Sequence, residues 1–390
     1  MKPVNHLTHQ FVESVIRGMS RVCAAAGGIN LAQGFPDWDT PQEIKDAACQ
    51  AIQDGYNQYA ITWGQESLRQ AIAARTEAYN KFSIDPQSEI TVTCGATEGM
   101  IACLKAIINP GDEVVIFEPF YENYGPDTLL SGATPRYVTL HAPDWRFDED
   151  ELAAAFDEKT KALIMNTPNN PTGKVFSRQE LEFIAGLCQK WDAYCISDDI
   201  YEYILYDGSE HVSMASLPGM KERSVIVNSV SKTFSATGWR VGWVLANAEI
   251  TAAVRKVHDF LTVGAACPLQ EASAYALRLS QSYFDGLRQR YQDARDFLYG
   301  VLDELGFNPN LPGGAYYIMT QPDELMAKLG VSDDTALAMK LIEVTGVATV
   351  PGSSFYSTPD KGRNQVRFCY CKKNETLERA AEGLRKLANI

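Results

Sequence analysis

Lys232 lies in a segment whose residue types suit a reactive amine. The segment SVSKTFS, residues 229–235, follows the apolar run 225–227, and Arg240 comes eight positions after the lysine. Small hydroxyl neighbours leave room for a flat ring, and together with Arg240 they supply donors for a phosphate. An amine that is desolvated near another cation has the lowered pKa that Schiff-base chemistry requires. The alternative is a surface lysine that reaches solvent, as most lysines do.

A second segment could seat an anion. Residues 95–99, GATEG, follow the strand-like run Ile90 to Cys94 and open a helical pattern from Met100 to Ile108. Free backbone N–H groups at the start of a helix, with the helix dipole behind them, bind phosphate. An ordinary strand-to-helix turn is the alternative for this short motif.

Two further strand ends carry side chains that could meet a cofactor ring. Tyr121 follows the predicted strand Glu113 to Phe117, where an aromatic ring could stack on a ligand, whereas Phe120 beside it could equally belong to the core. The turn NTPNNPTG, residues 166–173, follows the apolar strand Ala162 to Met165. Its two prolines predict a rigid turn that holds the asparagine side-chain amides in fixed directions.

The next elements place a carboxylate at the end of a buried strand. Ser177 and Glu180 form a capping-box pattern, which predicts a helix that runs to Lys190. The strand from Tyr194 to Ser197 then ends at Asp198, a position suited to a cationic ring nitrogen. Tyr201, three residues later, can return to the same site.

The elements that must position these side chains alternate between strand and helix. From residue 39 to residue 280 the pattern is that of parallel α/β units, which predicts a large domain. A long helix is predicted from Tyr283 to Leu305, and short strands at Val347 to Val350 and Gln365 to Tyr370 precede a closing helix, Thr376 to Ala388. This block, residues 281–390, should form a smaller α+β domain with residues 1–38.

Taken in order, these motifs resemble the fold-type I aminotransferases that depend on pyridoxal 5′-phosphate (PLP). The segments GFPD at 34–37, NQY at 57–59 and VRF at 366–368 are similar to the branch that contains methionine, kynurenine and glutamine transaminases. The resemblance extends from about Ile29 to the end of the chain. It implies an α/β fold with a mixed, mostly parallel sheet flanked by helices, plus the smaller α+β domain.

The resemblance implies a role for each residue around the PLP ring. Lys232 would hold the cofactor covalently and move the proton of the substrate's α-carbon. Asp198 would keep the ring nitrogen protonated. Asn170 and Tyr201 would bind the phenolic oxygen of PLP, and Tyr121 would stack on the ring face.

The resemblance also implies how the phosphate is held. Backbone groups of Ala96 and Thr97, the Ser229 hydroxyl and Arg240 would bind it. Tyr59 matches a tyrosine that reaches the phosphate from the neighbouring subunit in this family, which implies a homodimer.

The substrate would be held by Arg367 and Gly34. In this family the arginine pairs with the α-carboxylate in a two-pronged salt bridge, and the glycine lines the pocket with its backbone. Arg367 should therefore lie across a cleft from Lys232, and we expect the small domain to close on the substrate.

The expected side-chain specificity follows from two missing cations. Relatives that prefer aspartate place an arginine in the region 258–268 or a lysine where this chain has Thr97, and neither cation is present here. The small residues 264–266, GAA, suggest a roomier pocket than that of kynurenine transaminases. We therefore expect neutral donors such as methionine, glutamine or aromatic amino acids, with a 2-oxo acid as acceptor.

Two other functions fit the same residues. A lyase, such as one that performs β-elimination on cysteine conjugates, would use the same lysine and the same α-carbon proton. A non-catalytic PLP-binding module is the third alternative, although such modules are usually fused to a DNA-binding domain.

Composition bounds the possible partners and location. The net charge of −14 and the lack of a basic run argue against nucleic-acid binding. We find no apolar run of membrane length, no signal peptide, no histidine spacing typical of a metal site and no CxxC pair among the nine cysteines. A cytoplasmic enzyme is the expectation.

Overall fold

The computed structural model describes residues 2–389. The strands are β1 (Ile29–Asn30), β2 (Ile90–Thr93), β3 (Glu113–Glu118), β4 (Thr134–Thr139), β5 (Thr160–Asn166), β6 (Tyr194–Asp198), β7 (Ser224–Ser229), β8 (Gly242–Leu245), β9 (Tyr317–Thr320), β10 (Val347–Ala348), β11 (Val350–Pro351) and β12 (Val366–Cys369). The α-helices are α1 (Val15–Ala25), α2 (Gln42–Gln53), α3 (Glu66–Asn80), α4 (Ala96–Ile107), α5 (Tyr124–Leu130), α6 (Glu149–Ala154), α7 (Arg178–Lys190), α8 (Ala248–Leu261), α9 (Cys267–Leu277), α10 (Gln281–Glu304), α11 (Asp323–Leu329), α12 (Asp334–Thr345) and α13 (Asn374–Leu384). Short 3-10 helices lie at His6–His9, Met214–Ser216, Gly352–Phe355, Pro359–Gly362 and Arg385–Asn389.

The central sheet has seven strands in the order β2-β8-β7-β6-β5-β3-β4. Strand β8 is antiparallel to both of its neighbours, and the other adjacent pairs are parallel. The strands are rich in apolar residues because both faces of the sheet are covered. In β3, Val114 and Ile116 pack on one face with α4 and α8, whereas Val115 and Phe117 face a second core on the other side. The predicted α/β class with a mixed, mostly parallel sheet is confirmed.

The strand directions bring several segment ends to one edge of the sheet. The carboxyl ends of β2, β3, β5, β6 and β7 meet there because these strands run in the same direction. Strand β8 runs the other way and starts at this edge, where Gly242 pairs with Thr93 on one side and Ser229 on the other. Residues just before β8 therefore join residues just after the parallel strands.

Helix α7 begins where its local sequence predicts. The Ser177 hydroxyl accepts a hydrogen bond from the Glu180 backbone N–H at 3.2 Å, and the Glu180 carboxylate accepts from the Ser177 N–H at 2.8 Å. This reciprocal pair satisfies two N–H groups that a helix start leaves without a partner. The predicted capping box and the end of the helix at Lys190 are both confirmed.

The N-terminal segment pairs with the C-terminal block. Strand β1 runs parallel to β10, with Ile29 opposite Val347, and β11, β12 and β9 form a small antiparallel sheet. The single strand predicted from Val347 to Val350 is wrong in detail, because β10 pairs with β1 and β11 with β12, so Thr349 separates two short strands. The closing helix also ends earlier than predicted, at Leu384, and a 3-10 turn follows.

The division into domains 39–280 and 1–38 plus 281–390 stays a prediction. Within residues 2–389, no helix is both long enough and apolar enough to span a bilayer.

Candidate active site

A cavity of about 340 Å³ opens at the sheet edge where the parallel strands end. Its size falls in the range of small-molecule sites, about 300–1,000 Å³. Most of the predicted site residues line it, and these are Gly34, Ala96, Thr97, Tyr121, Asn170, Asp198, Tyr201, Lys232, Arg240 and Arg367. Motifs spread over more than 300 positions of the sequence thus meet in one place.

Lys232 follows strand β7 and lies half-buried in the cavity. Its Nζ donates a hydrogen bond to the Gly34 carbonyl oxygen at 3.1 Å, and the Tyr316 hydroxyl donates to the same oxygen at 2.9 Å. Burial lowers the pKa of Lys232 to about 8; the nearby Asp198 opposes this shift, whereas the Arg240 cation adds to it. About half of the amine is therefore neutral near pH 8, and a nucleophilic lysine reacts in its neutral form.

Asp198 closes strand β6 and is almost fully buried. Its Oδ2 accepts a hydrogen bond from the Tyr124 hydroxyl at 2.8 Å, and its Oδ1 accepts from the Ile200 N–H at 3.3 Å. Burial raises the pKa of Asp198 to about 6, although the Tyr124 hydrogen bond opposes the shift. A buried carboxylate of this kind is stabilised by a cationic partner such as a protonated ring nitrogen.

Aromatic residues line the same cavity as Lys232 and Asp198. Tyr121 is half-buried, and its ring lies 5.9 Å from that of Tyr124. The Tyr201 hydroxyl lies 3.0 Å from the Tyr317 hydroxyl, and both residues line the cavity. Flat side chains around the cavity suit a planar aromatic ligand.

The N-terminus of helix α4 provides the anion seat. Gly95 precedes the helix with a φ of 84°, which favours glycine, and no side chain caps the first turn. A Cβ on Gly95 would lie 2.4 Å from Nη2 of Arg240, so the guanidinium packs directly against this turn. Ser231 and Thr237 add two hydroxyl groups to the cavity wall. Helix N–H groups, a guanidinium and hydroxyls together fit a phosphate dianion.

Arg367 is fully buried beside the cavity and joins three segments. Its Nη1 donates to Oδ1 of Asn170 at 2.8 Å and its Nη2 donates to the Ala32 carbonyl oxygen at 2.6 Å. The guanidinium lies 4.2 Å from the ring centroid of Tyr317. Its Nε has no hydrogen-bond partner among residues 2–389. A buried donor without a partner is costly, and a ligand carboxylate would satisfy it.

Two predicted residues lie outside the cavity. The Ser229 side chain is buried, and its Oγ accepts from the Ser231 N–H at 3.1 Å. The hydroxyls of Ser231 and Thr237, rather than that of Ser229, line the cavity wall. Tyr59 lies on the surface with 89% of its side chain exposed, so it does not contribute to the cavity of its own chain.

The sequence analysis missed several cavity residues besides Ser231 and Thr237, among them Tyr124, Tyr317 and Arg17. Tyr124 begins helix α5, and its spacing of three from Tyr121 was the available signal for a residue on the same side of a turn. Tyr317 lies on β9, where no sequence pattern marked it as a site residue. Arg17 lies on α1 and reaches the cavity only through long-range packing. It is distinct from the two positions, region 258–268 and Thr97, where relatives that prefer aspartate carry a second cation.

The residues present fit PLP. The α4 N-terminus with Arg240 matches a phosphate, Asp198 a ring nitrogen, Tyr121 a ring face and Lys232 an aldehyde. When bound, PLP supplies an electron sink for the electrons released at the substrate's α-carbon.

Comparison with known proteins gives the same answer. Residues 26–384 match the family described as Aminotransferase class I and II. The chain is 38% identical to human kynurenine–oxoglutarate transaminase 1, with 92% of each protein covered. The structure of N-succinyldiaminopimelate aminotransferase from Mycobacterium tuberculosis superposes with a TM-score of 0.95 at 36% identity, covering 99% of this chain and 100% of that one. YbdL from Escherichia coli, for which a methionine aminotransferase function has been identified, gives 0.93 at 35% identity over 99% of both chains.

The chain therefore belongs to the class I and II aminotransferase family. It is a PLP-dependent amino-acid aminotransferase with the fold of that family.

Proposed function

We propose that this aminotransferase takes its amino group from neutral, medium-to-large L-amino acids, of the methionine, glutamine or aromatic type. The acceptor is a 2-oxo acid. The convergence of Lys232, Asp198 and Arg367 on one cavity carries the proposal. The neutral preference is supported by apolar and aromatic residues at the cavity wall, Ile16, Phe35 and Tyr121, and by two relatives whose names include kynurenine and methionine.

In this proposal Lys232 moves the proton of the reaction. Its Nζ takes the proton from the substrate's α-carbon and returns a proton in the opposite half-reaction. A pKa near the working pH suits both steps, because the amine must accept and donate in turn. The Gly34 carbonyl oxygen, which accepts from Nζ and from the Tyr316 hydroxyl, orients the amine.

The other residues bind and orient the cofactor. Asp198 pairs with the ring nitrogen, Asn170 and Tyr201 bind the phenolic oxygen, and Tyr121 covers one ring face. The buried position of Asp198 supports its role, since an ion pair inside a cavity is screened little by water.

The phosphate is held by Ala96, Thr97 and Arg240. The uncapped start of α4 and the contact between Arg240 and Gly95 support this assignment. Ser231 and Thr237 line the same cavity, and we add them to the phosphate-binding hydroxyls.

Arg367 and Gly34 bind the substrate's α-carboxylate. The support for Arg367 is its full burial together with an Nε that lacks a partner among the described residues. Gly34 tolerates no side chain, because a Cβ would lie 2.0 Å from the Tyr317 hydroxyl oxygen.

The functional unit in this proposal is a homodimer in which Tyr59 reaches the phosphate of the partner's site. Four exposed residues support it, and we call them the apolar patch: Tyr59, Ile61, Phe260 and Val263, which are 89%, 49%, 92% and 45% exposed. Their two segments are adjacent, because Nε2 of His258 donates to the Thr62 carbonyl oxygen at 2.8 Å. An exposed apolar cluster of this kind marks a protein interface.

The two-domain division and a cytoplasmic location are also part of the proposal. The pairing of β1 with β10 supports grouping residues 1–38 with 281–390, and Arg367 contacts Asn170 across that boundary. Closure of the smaller domain on the substrate would then tighten the α-carboxylate site. Nine cysteines without a disulfide match a reducing compartment, and cell fractionation tests the location.

A donor panel tests the substrate class. The holoenzyme is mixed with single amino acids in a stopped-flow spectrophotometer, and conversion to the pyridoxamine form is followed by absorbance without an acceptor. We expect methionine, glutamine and aromatic amino acids to react fastest. A strong preference for aspartate would overturn the neutral class, and release of ammonia without an acceptor would indicate a lyase instead.

A further inference from the structure

Glu98 places a negative charge beside the proposed phosphate seat. It lies in the first turn of α4, next to Thr97, which lines the cavity. Its side chain is buried, and its Oε2 accepts a hydrogen bond from the Cys94 N–H at 3.0 Å. A carboxylate in the first turn of a helix is attracted by the same helix dipole that attracts a phosphate. Without a counter-charge, Glu98 would therefore weaken the phosphate seat.

His258 provides that counter-charge. It is fully buried in the last turn of α8, and its Nδ1 lies 3.0 Å and 3.1 Å from the two carboxylate oxygens of Glu98. Its Nε2 lies 2.8 Å from the Thr62 carbonyl oxygen, and the Thr262 hydroxyl makes a longer contact of 3.4 Å with Nδ1. Both ring nitrogens thus face oxygen acceptors, and only the protonated imidazolium carries two N–H donors. The contacts therefore match the charged form of His258.

The surroundings of His258 favour this charged form. Burial lowers the pKa of His258, but the hydrogen bond and charge of Glu98 outweigh burial and the Asp259 carboxylate adds to them, so the pKa lies above its usual value. The last turn of a helix also suits a cation, because the negative end of the helix dipole lies there. The nearby Cys94 thiol stays uncharged, since burial raises its pKa.

The pair of Glu98 and His258 lies close to Arg240. The charges of Glu98 and Arg240 both act on the pKa of the Cys94 thiol, which the carboxylate raises and the guanidinium lowers. Arg240 also packs against Gly95, the residue that precedes α4. The pair is therefore within electrostatic range of the guanidinium that binds the phosphate in the proposed function.

We propose that His258 is a positioning residue for the cofactor phosphate, whose imidazolium neutralises Glu98 so that the α4 dipole and Arg240 remain available to the phosphate. This inference rests on the proposed phosphate seat and extends it to a residue outside the cavity lining. Loss of the imidazolium leaves an unpaired carboxylate beside a phosphate dianion, and a low-dielectric interior enlarges that repulsion. Removal of both charges together leaves no such repulsion.

A comparison of single and double variants tests the role of the charge. The Kd of PLP is measured by equilibrium dialysis for the wild type, His258→Gln, Glu98→Gln and the double variant, at a protein concentration where all four sediment alike. His258→Gln should weaken PLP about 10-fold, and the double variant should return to within about 3-fold of the wild type. The control His141→Gln changes an exposed histidine near Glu151 and should keep wild-type affinity. If the double variant binds no better than His258→Gln, the histidine only supports the fold and the proposal is overturned.

The pH dependence of PLP binding tests the same charge without the single variants. The Kd of the double variant is divided by that of the wild type between pH 6 and pH 10, because Lys232 and Asp198 titrate in both proteins and cancel in the ratio. The imidazolium is present below the pKa of His258 and is lost as pH rises through it. The wild type should then lose affinity, so the ratio should fall about 10-fold.

A ratio that does not change with pH overturns the role of His258. Arg240→Gln tests the underlying phosphate seat separately, since it removes the guanidinium and leaves Glu98 and His258 in place. This variant should bind PLP more weakly than the wild type at every pH. Unchanged affinity in Arg240→Gln would overturn the proposed phosphate seat itself.

Discussion

The hydroxyl of Tyr124 donates a hydrogen bond to Oδ2 of Asp198 at 2.8 Å, inside the protein. Two effects therefore compete at this carboxyl group. Burial raises its pKa, because the charged form loses water, and the hydrogen bond lowers it, because the charged form accepts more strongly. The resulting pKa of about 6 keeps the group ionised at neutral pH. Tyr124 thus acts on the cofactor site through Asp198.

Removing this hydrogen bond should change the pH dependence of PLP binding. In Tyr124→Phe the pKa of Asp198 should rise by about 1 pH unit, because a hydrogen bond to a charged group is worth about 1.5–3 kcal/mol. PLP binding weakens as pH falls through that pKa, so the midpoint should move upwards. Equilibrium dialysis of PLP between pH 5 and pH 8 measures it. The control is Tyr137→Phe, which changes a half-buried tyrosine outside the cavity. Equal midpoints in the wild type and both variants would show that Tyr124 does not set the pKa of Asp198.

The buried carboxylate should also reduce the stability of the cofactor-free protein. The folded pKa of Asp198 is about 6, above its usual 3.8, so the folded state binds more protons between these values. Stability therefore falls as pH rises from about 4 to 6, and the full cost, at most about 3 kcal/mol, is present above pH 6. Asp198→Asn should raise the free energy of unfolding by about 1–3 kcal/mol at pH 8 and by little at pH 4.

Urea unfolding of the cofactor-free proteins at the two pH values provides the measurement. The same variant should bind PLP weakly, so function and stability change in opposite directions. Asp192→Asn is the control, because that carboxylate is exposed on the surface and pairs with Arg223. A loss of stability at pH 8 in Asp198→Asn would show that the carboxylate is better accommodated than its burial indicates.

The pKa of Lys232 predicts the pH range in which PLP attaches covalently to this residue. Attachment requires the neutral amine, whose fraction rises as pH increases through about 8. The initial rate of PLP incorporation into cofactor-free protein should therefore increase about tenfold per pH unit below pH 8 and level off above it. Absorbance follows the reaction, and borohydride reduction with peptide mapping identifies the lysine. Label on any other residue, or incorporation into Lys232→Ala at the wild-type rate, would refute the assignment.

Much of this fold and site could be predicted because the signals are local. The capping box of Ser177 and Glu180 sets the start of α7, and it depends only on residues three positions apart. The predicted strand ends lie within two residues of the observed ones at β2, β3, β5 and β6. Since these strands are parallel, the side chains that follow them meet without further information.

What the sequence missed depends on contacts between distant segments. Arg17 reaches the cavity because Ser14 bonds Glu122, a residue 108 positions away, and no local pattern marks that contact. The interruption at Thr349 follows from strand pairing, since β10 and β11 have partners in different sheets. Ser231 lines the cavity and Ser229 does not, and this difference depends on how the chain turns after β7.

Phe260 provides the sharpest test of the dimer. Its side chain is 92% exposed and belongs to the apolar patch, where an apolar partner surface would cover it. In Phe260→Asp an unpaired charge would be buried at that interface, so the dimer should dissociate at concentrations where the wild type is dimeric. Sedimentation velocity measures the state, and PLP affinity should fall as well, because Tyr59 of the partner subunit would leave the phosphate.

The control is Met339→Asp, which places a charge on an exposed apolar residue of α12, away from the patch. It should leave both the sedimentation coefficient and PLP affinity unchanged. Tyr59→Phe separates the two effects, since it should keep the dimer while weakening PLP by about 1 kcal/mol through the lost hydroxyl. A fully active wild-type monomer would contradict both the proposed interface and the shared site. A Phe260→Asp variant that remains dimeric would show that the interface lies elsewhere on the surface.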